Sequence, residues 1–340
     1  MNQRSVFIPI FQQGWHTRSV LEGVSELIKP DAIHVASLPT EIAILREEAK
    51  NWSTAPLVFH NEETFFGTGK LSKAALCARI ASLPKLYQPG WFYQQMLKLG
   101  CQEAIPELAD WTLIWDSDLI PFAGWPSEIN GVPAFALLQH KSKGNPKIVN
   151  VWKDWIRDFA GVEPLQDNTG TFIPHHMWFP REALAELRQT IVGRLGSVGP
   201  WQHALIDSLN THETFSEFWI VASWLAEKYP SGFAYHTYEV AGETTERFFD
   251  DGRGKLTTAF KAWYSKNQDC DFPKYPSYHD LSAFVGKTYS ASGDAIPSSL
   301  SLEASTRHIM KDEANRHLEE TRSRWLVRPA DAATLGVEVD

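Results

Sequence analysis

The chain has 340 residues, enough for one large α/β domain with an extension or for two modest domains. Hydrophobic residues make up 43% of it and charged residues 21%, which indicates a packed core and argues against extensive disorder. The formal net charge is −9, and no run of Lys or Arg relieves it. This charge balance argues against a basic surface that binds nucleic acid or anionic lipid non-specifically.

The cysteine pattern and the apolar stretches predict the compartment. The three cysteines, Cys77, Cys101 and Cys270, are odd in number and form no CxxC pair, so they indicate a reducing compartment. The longest apolar stretch, 218–226, is far shorter than the roughly 18 residues of a membrane span. The first residues are typical of a β-strand and not of a signal peptide. We therefore expect a cytoplasmic protein without a transmembrane segment, and contact with a membrane surface stays open.

The first 120 residues alternate between strand-like and helix-like patterns. Apolar runs predict strands at 5–11, 32–36 and 55–60, and apolar residues at helical spacing predict helices over 16–28 and 41–51. A βαβαβ order of this kind predicts a three-layered fold with a parallel sheet and right-handed crossovers.

Further elements follow in the middle of the chain. Pro89 opens a predicted helix that Gly100 closes, and Pro180 opens another. The predicted strands are 111–115, 132–138 and 171–179, and the predicted helices are 89–100, 181–191 and 217–228.

The amino-acid composition changes beyond about residue 245. This change divides the chain into a domain over 1–245 and an extension over 246–340. Residues 250–300 are rich in Gly, Pro, Ser and Asp with aromatic islands, and they predict either a lid that closes over substrate or a permanently docked segment. Residues 302–324 predict a charged helix with one apolar stripe. This helix either packs onto the main domain or mediates the formation of a homodimer.

The most informative motif is Asp116-Ser-Asp118, directly after the apolar strand 111–115. In an extended chain these two carboxylates point the same way, and like charges so close together need a cation between them. Mg²⁺ and Mn²⁺ prefer oxygen ligands, and open α/β sheets bind ligands at the carboxyl ends of their strands. The alternative is a pair of solvated aspartates in a turn.

Together with its neighbours, this motif resembles a known class of enzymes. The segments that carry the resemblance are Gly90-Trp-Phe-Tyr-Gln-Gln95, Asp116-Ser-Asp118, Phe172-Ile-Pro-His-His-Met177 and Phe215-Ser-Glu-Phe218. Over about residues 3–240, the chain is similar to the GT-A class of nucleotide-sugar-dependent glycosyltransferases, and more narrowly to a bacterial group of glycosyltransferase-like proteins. The resemblance implies a GT-A-like three-layer sandwich with a mostly parallel central sheet, followed by a C-terminal extension of helix and loops.

The resemblance also implies a mechanism. It assigns Asp116 and Asp118 to Mn²⁺ or Mg²⁺, with His236 as a further ligand, and it implies a nucleotide-sugar donor with a glycan, glycolipid or polysaccharide acceptor. Glu217, at the start of a later helix, takes the place of the base in inverting members. From the residues alone, Glu217 could equally be an ordinary first-turn glutamate. A packed, hydrogen-bonded histidine is the alternative for His236.

Other polar residues are weaker candidates for donor binding. Gln94 and Gln95 suit sugar hydroxyls and nucleobase edges, although a solvent-facing position is equally compatible with the sequence. Arg79 and Lys85 could balance the charge of a diphosphate, with ordinary surface positions as the alternative.

Two histidines stand next to each other at 175–176 in a predicted strand. Only one of them can face the cleft, because successive side chains of a strand point to opposite faces. We expect His176 to contact the acceptor or a phosphate, with a structural role as the alternative.

Two other functions fit the same residues. A metal-dependent nucleotidyltransferase or phosphohydrolase could use the same carboxylate pair, and a non-catalytic carbohydrate-binding protein could keep the scaffold alone.

Three motifs, GxxxxGK[ST], GxGxxG and GxSxG, are absent from the sequence. Their absence argues against P-loop, dinucleotide-binding and α/β-hydrolase functions.

Overall fold

A computed structural model of the chain describes residues 4–84, 88–122, 128–135, 146–166, 175–235, 246–248, 276–293, 296 and 299–301. Its strands are β1 (Ser5–Pro9), β2 (Ala32–Ser37), β3 (Leu57–Asn61), β4 (Trp111–Trp115), β5 (Leu119–Pro121), β6 (Glu128–Ile129), β7 (Val132–Phe135), β8 (His176–Pro180), β9 (Ala234–Tyr235), β10 (Glu246–Phe248) and β11 (Ser299–Ser301). Its α-helices are α1 (Thr17–Ile28), α2 (Pro39–Glu48), α3 (Lys73–Ala81), α4 (Pro89–Ala104), α5 (Pro146–Trp155), α6 (Arg181–Arg194), α7 (Trp201–Ser208), α8 (Glu217–Lys228) and α9 (Tyr278–Ser292).

A five-stranded sheet lies at the centre of the fold. Its strand order is β3-β2-β1-β4-β8, and the first four strands are parallel while β8 pairs with β4 in the antiparallel direction. All five residues of β1 are buried, as the apolar run of a central parallel strand predicts. The predicted mixed α/β fold with a mostly parallel central sheet is confirmed, and its first four strands match the predicted bounds to within two residues at each end.

Two small sheets flank the central one. One has the order β10-β11-β5 and the other has the order β6-β7-β9. Around the central sheet, α4 packs against β1, α3, α6 and α8, while α1 packs against β5 and α9.

The prediction that Gly100 ends its helix is wrong, because α4 continues to Ala104. A Cβ atom at Gly100 would lie 2.5 Å from Cε1 of Phe66 and 2.6 Å from Cζ2 of Trp201. Glycine therefore serves close packing of two aromatic rings against the helix at this position, and not a helix end.

Part of the predicted extension packs onto α1. Ser19 Oγ donates to the carbonyl of Pro276 (2.7 Å), and the backbone N–H of Tyr278 donates to Glu22 Oε2 (2.8 Å). The helix α9 is absent from the sequence prediction, which treats 250–300 as loop. Residues 249–275 and the predicted helix 302–324 lie outside the described residues, and the division at residue 245 stays a prediction.

Among the described residues, no helix combines the length and apolar character needed to cross a membrane.

Candidate metal and donor site

The strand order changes direction between β1 and β4. The chain leaves β1 towards β2 on one side, while β4 lies on the other side of β1. In open α/β sheets ligands bind at such a point, outside the carboxyl ends of the strands. Asp116 and Asp118 follow β4 directly, so they lie at this edge of the sheet.

The antiparallel strand β8 brings a histidine to the same edge. The register pairs Trp115 with His176, so the preceding residue, His175, lies beside Asp116. The backbone N–H of Asp116 donates to the carbonyl of His175 (2.8 Å), and His175 Nδ1 lies 3.3 Å from Asp116 Oδ2. The φ of His175 is +58°, in the left-handed region that favours glycine. The chain therefore adopts an uncommon conformation at this position of the site.

Asp116, Asp118 and His175 form a group that could hold a metal ion. Each offers one ligand atom, these atoms all lie within 4.8 Å of one another, and the three residues are half-buried. Carboxylate oxygens suit Mg²⁺ and Mn²⁺, and imidazole is an accepted ligand of transition metals. The donor set therefore fits the predicted divalent cation.

Neighbouring groups keep Asp116 in its ionised carboxylate form, which is the form that binds a cation. Burial alone would raise the pKa of Asp116, but the Lys98 ammonium and a hydrogen bond with His175 outweigh it and lower the pKa to about 2. The carboxylate is therefore ionised across the physiological range.

Lys98 is a functional candidate that the sequence analysis missed. Its side chain is buried, and its Nζ lies 2.5 Å from Asp116 Oδ1 and 2.6 Å from Glu217 Oε1. Burial alone would lower the pKa of Lys98, but the two carboxylates reverse this effect and raise it. Lys98 therefore remains a buried cation between two anions.

A signal for Lys98 does exist in the sequence. Gln95, Lys98 and Gln102 are polar residues at helical spacing i, i+3 and i+7 in the otherwise apolar part of α4, and all three are buried. Polar residues on the buried face of a helix need partners inside the fold. The partners of Gln102 are structural, since its Nε2 donates to the carbonyls of Ala109 (3.0 Å) and Phe179 (3.0 Å).

Glu217 is the first residue of α8, as predicted, and its side chain is buried. Its Oε1 accepts from Lys98 Nζ. The Gln95 amide, oriented with its Nε2 towards acceptors, donates to Glu217 Oε2 (2.8 Å) and to the carbonyl of Phe215 (3.2 Å). Glu217 is thus joined to Asp116 through a single lysine. The role of Glu217 as a base stays a prediction.

The two adjacent histidines face different surroundings. His175 lies beside Asp116, whereas the ring of His176 stacks on Trp115 with centroids 4.9 Å apart. Burial, followed by the charge of His175, lowers the pKa of His176 to about 3. His176 is therefore a neutral, packed ring, and its predicted contact with acceptor or phosphate stays a prediction.

The remaining candidates are spread over the fold. Gln94 is half-buried on α4, next to the buried Gln95. Arg79 is exposed on α3 and forms an ion pair with Asp207 of α7. Lys85 and His236 lie outside the described residues.

Comparison with known proteins gives matches in structure but not in sequence. No protein-family model matches the chain, and no curated protein matches it in sequence. The apo form of mouse xyloside xylosyltransferase 1 is similar at 10% identity and a TM-score of 0.46, covering 89% of this chain and 98% of that one. The galactosyltransferase LgtC, in complex with donor and acceptor sugar analogs, is similar at 11% identity and a TM-score of 0.40, covering 97% and 99%.

A third similar structure is the glycosyltransferase GlyE of Streptococcus pneumoniae TIGR4, at 13% identity and a TM-score of 0.33. The match covers 100% of this chain and 65% of that one. All three are glycosyltransferases, the class that the sequence resembles.

Proposed function

We propose that this protein is a metal-dependent glycosyltransferase that transfers a sugar from a nucleotide-activated donor to a glycan, glycolipid or polysaccharide acceptor. The observation that carries the proposal is the group of Asp116, Asp118 and His175 at the carboxyl end of β4, next to the point where the strand order changes direction. The resemblance of the Asp-x-Asp and Gly-Trp-Phe-Tyr-Gln-Gln segments to the GT-A class supports the same function.

The chemistry of sugar transfer explains why such a group is needed. A nucleoside diphosphate departs with negative charge, and a divalent cation, when bound, stabilises that charge as a Lewis acid. Asp116, Asp118 and His175 would hold the cation, which we expect to be Mn²⁺ or Mg²⁺. Lys98 contributes by keeping Asp116 ionised in a partly buried position.

The stereochemical course belongs to the same proposal. Glu217 as base would give inversion at the anomeric carbon, as the resemblance implies. This role requires the acceptor hydroxyl to reach a side chain that is 7% exposed. The anomeric configuration of the product tests it, since a retained configuration would contradict an inverting reaction.

The test of the proposed function uses one aspartate at each end of β4. Titration of nucleoside diphosphates and nucleotide sugars, with and without Mn²⁺, should show metal-dependent binding to the wild-type chain. Asp118→Asn should lose that binding. The matched control Asp110→Asn, at the exposed amino end of the strand, should retain it.

Product analysis then separates the candidate reactions. Transferred sugar together with nucleoside diphosphate supports the glycosyltransferase. Pyrophosphate or free phosphate would indicate the nucleotidyltransferase or phosphohydrolase alternative. Carbohydrate binding without dependence on metal would indicate the non-catalytic alternative. Equal nucleotide binding by the two aspartate variants would contradict the metal assignment.

A further inference from the structure

Two buried charges, Lys98 and Glu217, form a continuous chain with the half-buried Asp116 of the candidate metal group. Asp116, Lys98 and Glu217 come from the end of β4, from α4 and from the start of α8, and Lys98 Nζ contacts both carboxylates at 2.5 and 2.6 Å. The side chains of Lys98 and Glu217 are 5% and 7% exposed. Such a chain carries a large desolvation cost, so its geometry and its hydrogen bonds must be well defined.

Both oxygens of Glu217 have donors inside the protein. Oε1 faces the Lys98 ammonium, and Oε2 faces the Gln95 amide, which lies one turn before Lys98 on the same helix. The ammonium also lies over the ring of Phe218, 4.6 Å from its centroid. Lys98 is therefore fixed from one side by Glu217 and Phe218, and Glu217 is fixed in turn by Gln95.

The two oxygens of Asp116 have different neighbours. Oδ1 contacts Lys98 at 2.5 Å, and Oδ2 lies 3.3 Å from His175 Nδ1, on the side of the candidate ligands. The position of the Lys98 ammonium thus decides how the carboxylate of Asp116 is turned. Groups that orient metal ligands in this way typically change metal affinity by about 10- to 100-fold when they are removed.

We propose that Glu217 is a positioning residue for the metal group: with Gln95 it holds Lys98, and Lys98 holds Asp116 so that Oδ2 faces His175. This inference rests on the proposed function, because it assumes that Asp116 binds a cation. It gives Glu217 a role different from that of a base, since its oxygens are already in contact with Lys98 and Gln95.

The decisive measurement is Mn²⁺ binding to the full chain without donor or acceptor, followed by electron paramagnetic resonance. Glu217→Gln keeps the shape of the side chain but removes the charge that holds Lys98, so we expect Mn²⁺ affinity to fall about 10-fold or more. Glu227→Gln, at the exposed end of α8, makes the same chemical change and should leave Mn²⁺ affinity unchanged.

A second variant guards against a purely structural defect. Gln95→Met removes the amide that contacts Glu217 and keeps a flexible side chain of similar size. If Glu217 is a positioning residue, Mn²⁺ binding should be weaker in this variant too. If Glu217 acts as a base, Mn²⁺ affinity does not depend on Gln95. Thermal unfolding of each variant shows whether the fold is retained.

The outcomes separate the two proposals. Weaker Mn²⁺ binding in Glu217→Gln and Gln95→Met, with Glu227→Gln unchanged, supports positioning. Unchanged Mn²⁺ affinity in Glu217→Gln with turnover lower by about 10²- to 10⁴-fold would overturn positioning and favour the base. A wild-type chain that binds neither Mn²⁺ nor Mg²⁺ would overturn the proposed function, and this inference with it.

Discussion

Two regions of the molecule shield ionisable side chains from water, with opposite electrostatic results. At the carboxyl end of β4, Lys98 stays charged between two carboxylates. On β2 and β3, His34 and His60 stack with centroids 5.2 Å apart, and His34 Nδ1 lies 3.0 Å from His60 Nε2. Burial lowers the pKa of both histidines, and that of His60 falls to about 4. The histidine pair is therefore neutral at physiological pH.

The difference lies in the distance to a counter-charge. Burial acts against the charged form in both places, but Lys98 has two carboxylates in direct contact. The attraction of Glu107 for each histidine is smaller than the effect of burial, and a charge on His34 would disfavour a charge on His60. Lys98 thus keeps its charge because two carboxylates touch it, and one of these belongs to the candidate metal ligand Asp116.

The largest expected effect is that of Lys98→Met. This change leaves the carboxylates of Asp116 and Glu217 without their shared cation, and removing one partner of a buried ion pair costs about 3–5 kcal/mol. Urea denaturation at pH 7.5 measures the loss. Lys50→Met, which breaks an exposed pair with Glu47, is the control and should cost at most about 1 kcal/mol. Equal losses in the two variants would contradict the comparison.

A smaller effect is expected at the neutral histidine of the charged region. His176→Gln removes the ring that stacks on Trp115, and the lost aromatic interaction amounts to about 0.5–1.5 kcal/mol. His279→Gln, on the exposed surface of α9, is the control and should change stability by less than about 0.5 kcal/mol. A loss of turnover far beyond the loss of stability would instead support a contact between His176 and substrate.

The smallest expected effect on stability is that of His60→Gln. We expect this effect on acidification and not at neutral pH. The pKa of His60 is about 4 in the folded chain against 6.5 as its ordinary value, so the unfolded chain binds more protons between these limits. Stability is therefore fully present above pH 6.5 and falls as the pH drops towards 4. His60→Gln removes the protonation of this side chain, so the loss of stability between pH 6.5 and 4 should be smaller. Urea denaturation at a series of pH values measures it.

The charged region loses stability in a different pH window. The pKa of Asp116 is about 2 in the folded chain against 3.8 as its ordinary value, so its contribution is present above pH 3.8 and is lost as the pH falls to 2. His60→Gln should leave this lower window unchanged. Parallel stability profiles of wild type and variant above pH 4 would show that the histidine pair does not titrate as described.

Local patterns in the sequence were sufficient for the scaffold of the site. The apolar run of β4 and the adjacent Asp116-Ser-Asp118 predicted both the strand and the carboxylates at its end. The helix over 217–228 was predicted with the bounds that the structure shows. Strand and helix signals of this kind depend on side-chain periodicity and on the residues at the ends of elements, which are properties of short segments.

Tertiary structure decided which side chains meet at that scaffold. His175 lies beside Asp116 because β8 runs antiparallel to β4 in the register that pairs Trp115 with His176. Lys98 meets Asp116 and Glu217 because α4 and α8 pack together near the end of β4. The sequence by itself determined the first four strands of the central sheet and the helices α1, α2, α6 and α8, since these follow from local propensity. Only the packing of distant segments placed the cation between its two carboxylates, because contacts between residues far apart in the chain are set by the whole fold.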